Sequence, residues 1–293
     1  MNKETPYLDR IKQCYPGLHI YSAKMNEIGQ NNDVLIVNDS LVFRFAKYRE
    51  GTDHLELEME ILSGVYDYVS LPIPRPIYKN FTSKEPGQSF MGYEMIDGQP
   101  MWGTIISSSK SADQLQNIAN QLAQFLHELH SIPVGEAVPT LEKANVDPYK
   151  DISNLYGKIR NELFPYMRDE ARWETSEHFE TYLSDESHFN FTPCLIHGDF
   201  GASNILYSSN KNNITGVIDF GGSYVGDPAY DFAGILSSYG EEFLHRLTNK
   251  YPGIDQILKR MKFYKSTFAL QEALFGIENN DVEAFKNGIK AYR

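Results

Sequence analysis

The sequence has little cysteine and no long apolar run. Its 293 residues include only Cys14 and Cys194, too few for the disulfide framework of a small secreted protein, so we expect two buried thiols in a reducing compartment. No window approaches the ~18 consecutive apolar residues that a membrane-spanning helix needs. Residues 1–5 lack the apolar core of a signal peptide. These absences predict a cytoplasmic protein that does not act at a membrane.

Positive charge is also scarce. The chain has 27 Lys and Arg against 39 Asp and Glu, a formal net charge of −12. Such a surface repels nucleic acid and suits a cationic ligand, so no nucleic-acid partner is expected. A single hydrophobic core rarely serves a chain of this length, so two lobes are expected. No obligate protein partner is expected.

Two short polar motifs carry the chemistry. Residues 197–204 read His-Gly-Asp-Phe-Gly-Ala-Ser-Asn, and residues 218–221 read Ile-Asp-Phe-Gly. They supply Asp199, Asn204 five residues later, and Asp219 in a second turn. Protein kinases use these residue types at this spacing to orient an attacking hydroxyl and to hold Mg²⁺ on a nucleoside triphosphate. We therefore assign Asp199 to the hydroxyl, and Asn204 and Asp219 to Mg²⁺.

A plain turn is the alternative interpretation, because Gly, Ser, Asp and Asn are all common turn residues. The flanking sequence favours the functional interpretation. An apolar run at 193–196 enters the first motif, and apolar runs at 205–207 and 215–218 predict two strands between the motifs. Both motifs then lie at strand ends, which is the context that a kinase-like site requires.

Together these motifs resemble the aminoglycoside phosphotransferase family of kinase-like small-molecule kinases. The first motif has His-Gly-Asp where protein kinases have His-Arg-Asp, and the resemblance covers nearly the whole chain. Within the family the sequence looks closest to the aminoglycoside 2″-phosphotransferases. The segments that support this closer likeness are residues 42–45 and 125–132 and the pair Gly276 and Gly288, whereas residues 226–232 support the family as a whole.

The resemblance implies a bilobal protein-kinase-like α+β fold. Residues 1–96 would form a small antiparallel-sheet lobe with one helix, which binds the nucleotide and ends in the hinge. Residues 97–293 would form a larger, mostly helical lobe for catalysis and acceptor binding. The implied reaction is Mg²⁺-dependent transfer of the γ-phosphate of ATP or GTP to a hydroxyl of a small-molecule antibiotic, first of all an aminoglycoside. Such a transfer would give resistance. A macrolide kinase, a small-metabolite kinase and a nucleotide-binding pseudokinase regulator stay open as alternatives.

The nucleotide-binding residues depart from the usual pattern at two points. Where the resemblance expects backbone N–H groups over the phosphates, the sequence has only Gly29 in a Gly-Gln-Asn-Asn loop. Where it expects a Lys on the strand, Arg44 stands. Arg is always charged and forms bidentate contacts, so it can serve. Glu58 is the expected helix partner of Arg44. Lys47 ranks second as the phosphate-binding cation, because it lies three residues further on and faces the other side of a regular strand.

The resemblance places the interlobe hinge at residues 90–96. Adenine or guanine would bind backbone groups near Glu94 and Ile96, with Phe90 and Met91 behind the pocket. A base needs apolar walls and a few edge-on partners, which such a strand supplies. The choice between ATP and GTP depends on backbone placement and cannot be predicted.

The acceptor site is predicted from acidic residues. A polycationic acceptor favours carboxylates, and the candidates are Glu241, Glu242 and Glu272. Gln271 stands where the resemblance expects a Glu, and the fewer acids would suit a less charged acceptor such as a macrolide. Macrolide kinases of this family, however, typically carry Asp-Leu-x-x-Gly-His and Ile-Asp-Trp, where this chain has Phe200 after Asp199 and Phe220 after Asp219. An aminoglycoside therefore stays the first expectation.

Three residues near the motifs are predicted as structural support: His197, Asp227 and Asp231. Asp231 is expected to orient the loop that carries His197 by hydrogen bonds. His127 and His130 are predicted to be incidental to the chemistry, and no zinc is expected because no ligand cluster accompanies them.

Overall fold

The protein is described by a computed structural model that covers residues 3–26, 32–107, 110–142, 146–251 and 253–293. Gly29, the predicted phosphate-loop glycine, lies outside the described residues. Among the described helices, none is both long enough and apolar enough to cross a membrane.

The N-terminal part of the chain is a five-stranded antiparallel sheet with two helices. The strand order is β1-β2-β3-β5-β4. The elements are α1 (Thr5–Cys14), β1 (Ala23–Asn26), β2 (Asn32–Val37), β3 (Leu41–Ala46), α2 (Arg49–Val65), β4 (Tyr78–Asn80) and β5 (Phe90–Glu94). The antiparallel sheet was predicted with one helix, whereas the structure has two, α1 and α2.

Each face of the sheet packs against one helix. β3 and β5 are paired so that Phe45 lies opposite Phe90 and Arg44 lies opposite Met91. Paired residues share a face and neighbours along a strand alternate. The aromatic face therefore packs on α1 through Ile11, in a buried cluster with Phe45 and Phe90. The opposite face, which carries Arg44, is turned toward α2 and the rest of the chain.

The C-terminal part is mostly helical. Its longest helix but one, α4, begins with a capping box: the Ser111 side chain accepts from the Gln114 N–H, and the Gln114 side chain accepts from the Ser111 N–H. This reciprocal pair satisfies two N–H groups that the start of a helix leaves without a partner. The helices are α3 (Gly103–Ser107), α4 (Ala112–His130), α5 (Val134–Ala137), α6 (Pro139–Glu142), α7 (Pro148–Lys158), α8 (Asp169–Ser184), α9 (Ala229–His245), α10 (Leu258–Glu278) and α11 (Val282–Ile289).

Short strands carry the two motifs. The strands are β6 (Gln99–Pro100), β7 (Cys194–Ile196), β8 (Ile205–Ser208), β9 (Asn213–Val217) and β10 (Tyr224–Gly226). β8 pairs with β9, as the apolar runs predict, whereas β7 pairs with β10. The first motif leaves the end of β7 and the second leaves the end of β9, so both are held at strand ends. The predicted α+β architecture, with an antiparallel sheet first and a mostly helical part after it, is confirmed.

Candidate active site

Asp199 and Asn204 lie in a tight loop between β7 and β8. The side-chain amide of Asn204 donates to Asp199 Oδ2 at 2.7 Å and to the Asp199 carbonyl at 2.9 Å. Burial raises the pKa of the Asp199 carboxyl, while the bond from Asn204 opposes that effect. The first bond orients the carboxylate, and the second ties the Asn204 side chain to the Asp199 backbone. They also use the amide nitrogen of Asn204, so its amide oxygen is the atom that can serve as a ligand.

Glycine at position 198 is required by the geometry of this loop. Gly198 has φ +77°, a conformation that L side chains rarely adopt, and a Cβ there would lie 2.0 Å from the carbonyl oxygen of Gly222. The Gly222 backbone belongs to the turn that follows Asp219. The first motif therefore reads His-Gly-Asp because the two loops approach each other too closely for any side chain.

Asp231, near the start of α9, holds the backbone of the first motif. Its carboxylate accepts from the N–H of His197 at 2.8 Å and from the N–H of Gly198 at 2.9 Å. His197 in turn lies between Ile218 and Asp199: its Nε2 is 3.1 Å from the Ile218 carbonyl, and its Nδ1 accepts from the Asp199 N–H at 3.2 Å. The neutral tautomer with the proton on Nε2 satisfies both contacts. Residue 197 thus ties the two motifs together.

His130 extends this network, although the sequence predicts no role for it. Its Nε2 lies 3.1 Å from Asp231 Oδ2, and its Nδ1 lies 3.0 Å from the Tyr251 hydroxyl. Burial raises the pKa of Tyr251, so the hydroxyl keeps its proton and donates to His130. A single His at a helix end carries no signal of such a role, because its partner Asp231 lies 101 residues away in the sequence.

Asp227 fastens α9 to α10. Its carboxylate accepts a bidentate pair of bonds from Arg260, at 2.7 and 3.1 Å, and a further bond from the Tyr264 hydroxyl at 3.2 Å. It also accepts from the N–H of Ala229 at the start of α9. Because Asp227 and Arg260 are both buried, the pair is fully partnered rather than an isolated charge.

Arg44 joins the N-terminal sheet to the second motif. Its guanidinium forms an ion pair with Glu58 of α2 through Nη1, and Nη2 donates to Asp219 Oδ1 at 3.0 Å. Burial alone would lower the pKa of Arg44, but the carboxylates of Glu58 and Asp219 outweigh it and raise the pKa. Lys47 instead lies beside Asp33, with 3.9 Å between Nζ and Oδ1. Of these two basic residues, Arg44 is thus the one that contacts Asp219 of the second motif.

The backbone at Asp219 is left-handed, with φ 66°. Asp tolerates this conformation better than most residues, and such strained positions cluster at functional sites. Its side chain is 49% exposed, in contrast to the buried Glu58. The strained turn therefore presents one carboxylate that is bound to Arg44 on one side and open on the other.

The two motifs also meet through their backbones. The N–H of Ile218, just before Asp219, donates to the carbonyl of Asn204 at 2.9 Å. A continuous chain of contacts therefore runs from Glu58 through Arg44 and Asp219 to Asn204 and Asp199.

The predicted hinge residues do not all face the cleft. Glu94 and Ile96 lie at the end of β5 and just beyond it, on the path between the sheet and β6. Phe90, however, points away from Arg44 and packs on Phe43 and Phe45 beneath α1, with ring centroids 5.8 and 5.0 Å away. The expectation that Phe90 backs a base pocket is therefore corrected. Met91, its neighbour, lies on the Arg44 face.

A cavity of about 380 Å³ opens beside Asp199. Its walls come from the loop of the first motif, α9 and α10, together with Trp102. Among the described residues that line it, Asp199 is the one with a charged side chain. Ser238 of α9 joins the cavity wall to the loop, since its hydroxyl accepts from the N–H of Ala202 at 3.1 Å.

The three acids predicted to bind the acceptor lie outside this lining. Glu241 forms an ion pair with Lys262 at 2.8 Å, Glu242 lies 3.5 Å from Arg246, and Glu272 is exposed. The structure places Gln271, Tyr230 and Phe268 at the cavity instead. Helical geometry explains the correction, because adjacent residues on a helix point about 100° apart, so Glu272 cannot share the direction of Gln271.

The donor set near Asp219 fits a magnesium ion carried by a nucleotide. Among the described residues, no group of three or more His, Cys, Asp and Glu side chains is arranged to hold a metal alone. Magnesium in such enzymes is usually bound by one or two protein oxygens together with substrate phosphates. The half-exposed carboxylate of Asp219 and the amide oxygen of Asn204 match that requirement.

The fold and the site define a kinase-like phosphotransferase. Residues 23–264 match the phosphotransferase enzyme family known as APH. The chain belongs to this family and is a phosphotransferase, as predicted.

The relatives agree with this assignment. Viomycin phosphotransferase of Streptomyces vinaceus is 28% identical over 290 residues, 97% of each chain. The structure of a GDP and kanamycin complex of an APH(2″) enzyme has a TM-score of 0.88 at 26% identity, covering 98% of this chain and 96% of that one. The predicted similarity to aminoglycoside 2″-phosphotransferases is confirmed. A type I macrolide 2′-phosphotransferase shares the fold, with a TM-score of 0.78 at 20% identity and coverage of 100% and 97%.

Proposed function

We propose that the protein transfers the γ-phosphate of ATP or GTP to a hydroxyl of a small-molecule antibiotic, with Mg²⁺ as cofactor. The observation that carries the proposal is the chain of contacts from Glu58 through Arg44, Asp219 and Asn204 to Asp199, which ends at a cavity. Phosphoryl transfer needs positioning and charge stabilisation more than covalent chemistry. The chain of contacts supports that requirement.

Asp199 would orient the acceptor hydroxyl and accept its proton. The carboxylate lies in the cavity wall and is fixed by Asn204 at 2.7 Å. A base must be within hydrogen-bond reach of the proton that it accepts, and a fixed orientation reduces the entropy lost on reaching the transition state. His197, Asp231 and His130 would act behind it by holding the loop.

Asn204 and Asp219 would hold the metal through their oxygen atoms, and Arg44 would bind phosphate oxygens with its planar fork. A bound magnesium ion supplies positive charge that neutralises the phosphates. Glu58 would keep Arg44 in place when Asp219 turns to the metal. The base of the nucleotide would bind near Glu94 and Ile96, and the donor would be ATP or GTP, since related enzymes have been crystallised with GDP, ADP or ATP.

The acceptor class is proposed from the relatives. Similar proteins are named for viomycin, and a similar structure contains kanamycin. The reaction would take place in the cytoplasm, where nucleoside triphosphates are available, with no partner beyond the nucleotide and the acceptor. A macrolide or a metabolite would require the same chemistry with a different acceptor.

One assay tests the proposal. Purified protein is supplied with Mg²⁺, with ATP and GTP in separate reactions, and with viomycin, kanamycin or a macrolide. We expect antibiotic-dependent release of nucleoside diphosphate, which disappears in Asp199→Ala. Nucleotide binding without turnover on any acceptor would instead identify a pseudokinase regulator. A susceptibility panel in an expressing strain, with the same variant, checks the acceptor class in cells.

A further inference from the structure

The cavity beside Asp199 is neutral and aromatic although the protein carries a net charge of −12. Trp102, Tyr230 and Phe268 supply its ring surfaces, and Ser237, Ser238 and Gln271 supply neutral polar groups. The acidic residues on the same helices are turned elsewhere, as the ion pairs of Glu241 and Glu242 demonstrate. Glu241, Glu242 and Glu272 thus lie outside the described lining, and Asp199 supplies the carboxylate at the place where the acceptor hydroxyl would lie.

The polar part of the wall is fixed by its own hydrogen bonds. The Tyr230 hydroxyl donates to Gln271 Oε1 at 3.2 Å, and Gln271 Nε2 donates to Thr267 Oγ1 at 2.9 Å. Burial raises the pKa of Tyr230 to about 12, so its hydroxyl stays neutral. The Tyr230 ring is held edge-on by Tyr264 and Phe268, at 5.2 and 5.5 Å. The wall is therefore preorganised without a charge.

Among the described lining residues, an ammonium group in this cavity would find one carboxylate, that of Asp199. An ammonium group paired with Asp199 would also compete with the acceptor hydroxyl for the carboxylate that has to take its proton. The neutral hydrogen-bonding groups of the wall instead suit an uncharged, hydroxyl-bearing segment, whose apolar faces can pack on the rings.

Resting on the proposed function, we infer that the acceptor presents its reacting hydroxyl on an uncharged segment, and that Gln271 excludes acceptors with an ammonium group beside that hydroxyl. Positive groups of the acceptor, if it has any, lie outside the cavity. Gln271 is then a specificity-determining residue because it fills with a neutral amide the position from which a carboxylate would face the acceptor.

The test introduces a carboxylate at position 271, in the cavity wall. Gln271→Glu places a negative charge in the wall and keeps the acceptor for the Tyr230 hydroxyl. The double variant Gln271→Glu with Glu272→Gln does the same at constant net charge, because Glu272 is exposed and lies outside the lining. Glu272→Gln alone is the matched control. Thermal melting of each variant checks that the fold is intact.

Binding is measured with a reporter in the cavity. The chain has two tryptophans, Trp102 in the cavity wall and Trp173 on α8. In a Trp173→Phe background the fluorescence of Trp102 reports a ligand at this cavity. Viomycin, kanamycin and a macrolide are titrated into each variant, and the phosphorylation rate is measured in parallel.

We expect kanamycin to bind about tenfold more tightly to Gln271→Glu and to the double variant than to the parent, the scale of one charge-assisted hydrogen bond. Glu272→Gln should leave its affinity within twofold of the parent. Equal kanamycin affinity in the parent and in both Gln271 variants would overturn the inference, and so would an equal effect of Glu272→Gln. Absence of turnover with every antibiotic would count against the proposed function alone, because the change in kanamycin binding is measured without catalysis.

Discussion

The phosphate side of the cleft and the acceptor side are built in different ways. On the phosphate side, charged groups contact one another directly: Glu58, Arg44 and Asp219 form one chain of ion pairs. On the acceptor side, Tyr230, Gln271 and Thr267 form a chain of neutral hydrogen bonds. One side carries the residues that we propose for phosphates and a metal. The other is arranged for an acceptor, which differs between members.

The comparison also separates local from distant contacts. Asp199 and Asn204 are five residues apart, and the turn at Asp219 follows β9 directly. The acceptor wall joins α9 and α10, which are locked together by the buried pair of Asp227 and Arg260. The proposed phosphate and metal ligands thus lie mostly in short motifs, whereas the proposed acceptor wall depends on how two helices are packed.

The largest effect is expected from Asp219→Ala. The substitution removes the proposed metal carboxylate and one partner of Arg44, so turnover should be abolished while the base still binds near the hinge. Steady-state phosphorylation and nucleotide titration measure the two effects separately. Glu242→Ala, which removes an exposed acid of α9, is the control and should keep the phosphorylation rate of the parent protein. A near-normal rate in Asp219→Ala would show that the phosphate side is assigned wrongly.

Asp199→Asn should have the next largest effect. The amide keeps the shape and one acceptor oxygen but loses the charge, so phosphorylation should fall ~10²-fold or more, as expected for the loss of general-base help. Nucleotide affinity should change little because Asn204 and Asp219 are retained. The measurement is kcat with saturating acceptor, beside a nucleotide Kd. An unchanged kcat is incompatible with the proposed role of this residue.

Arg44→Ala should weaken nucleotide binding and turnover by about tenfold or more, because hydrogen bonds to charged groups are worth about 1.5–3 kcal/mol. Lys47→Ala, three residues along the chain, is the matched control and should change either quantity by less than about threefold. Arg44→Lys keeps the charge but loses the fork, so a rate between that of the parent and that of Arg44→Ala would assign part of the effect to geometry. The reverse ranking of Arg44→Ala and Lys47→Ala would transfer the phosphate contact to Lys47.

Much of the phosphate side could be predicted from the sequence. The two short motifs contain Asp199, Asn204 and Asp219, and the spacing within the first motif brings Asn204 to Asp199. The packing of α2 on β3 brings Glu58 to Arg44, as expected. These contacts agree with the predicted positions, while the chemical roles stay predictions. Phe90 was misplaced because a run of buried residues in β5 gives no alternation from which to choose its face.

The acceptor side could not be predicted in the same way. Gln271 and Glu272 are neighbours in the sequence, and only the rotation of α10 decides which of them faces the cavity. Trp102 lines the same cavity from a segment just before α3, about 170 residues before Gln271 in the chain. The sequence contains the acids but no signal for the ion pairs that turn Glu241 and Glu242 away.

The smallest effect is expected at His130, which lies behind both sides of the cleft. It contacts Asp231, which holds the loop of Asp199, and Tyr251, so it is a positioning residue rather than a catalytic one. His130→Leu removes both bonds, but only the bond to Asp231 acts on the loop that carries Asp199. Because a net hydrogen bond is worth about 1 kcal/mol, kcat should fall by about fivefold. The nucleotide Kd should stay constant because Arg44 and Asp219 are untouched.

Two matched variants decide whether that effect is specific. His130→Gln keeps an N–H donor for Asp231 and should restore most of the lost kcat, which mere loss of packing would not do. His127→Leu removes an exposed imidazole from the same helix, where it contacts the Tyr251 ring at 5.8 Å, and should leave kcat unchanged. An equal loss of kcat in His130→Leu and His130→Gln, with both variants melting at the parent temperature, would contradict this role. The bond from His130 to Asp231 would then not position the loop, and the bonds that Asp231 accepts from His197 and Gly198 would hold the loop alone.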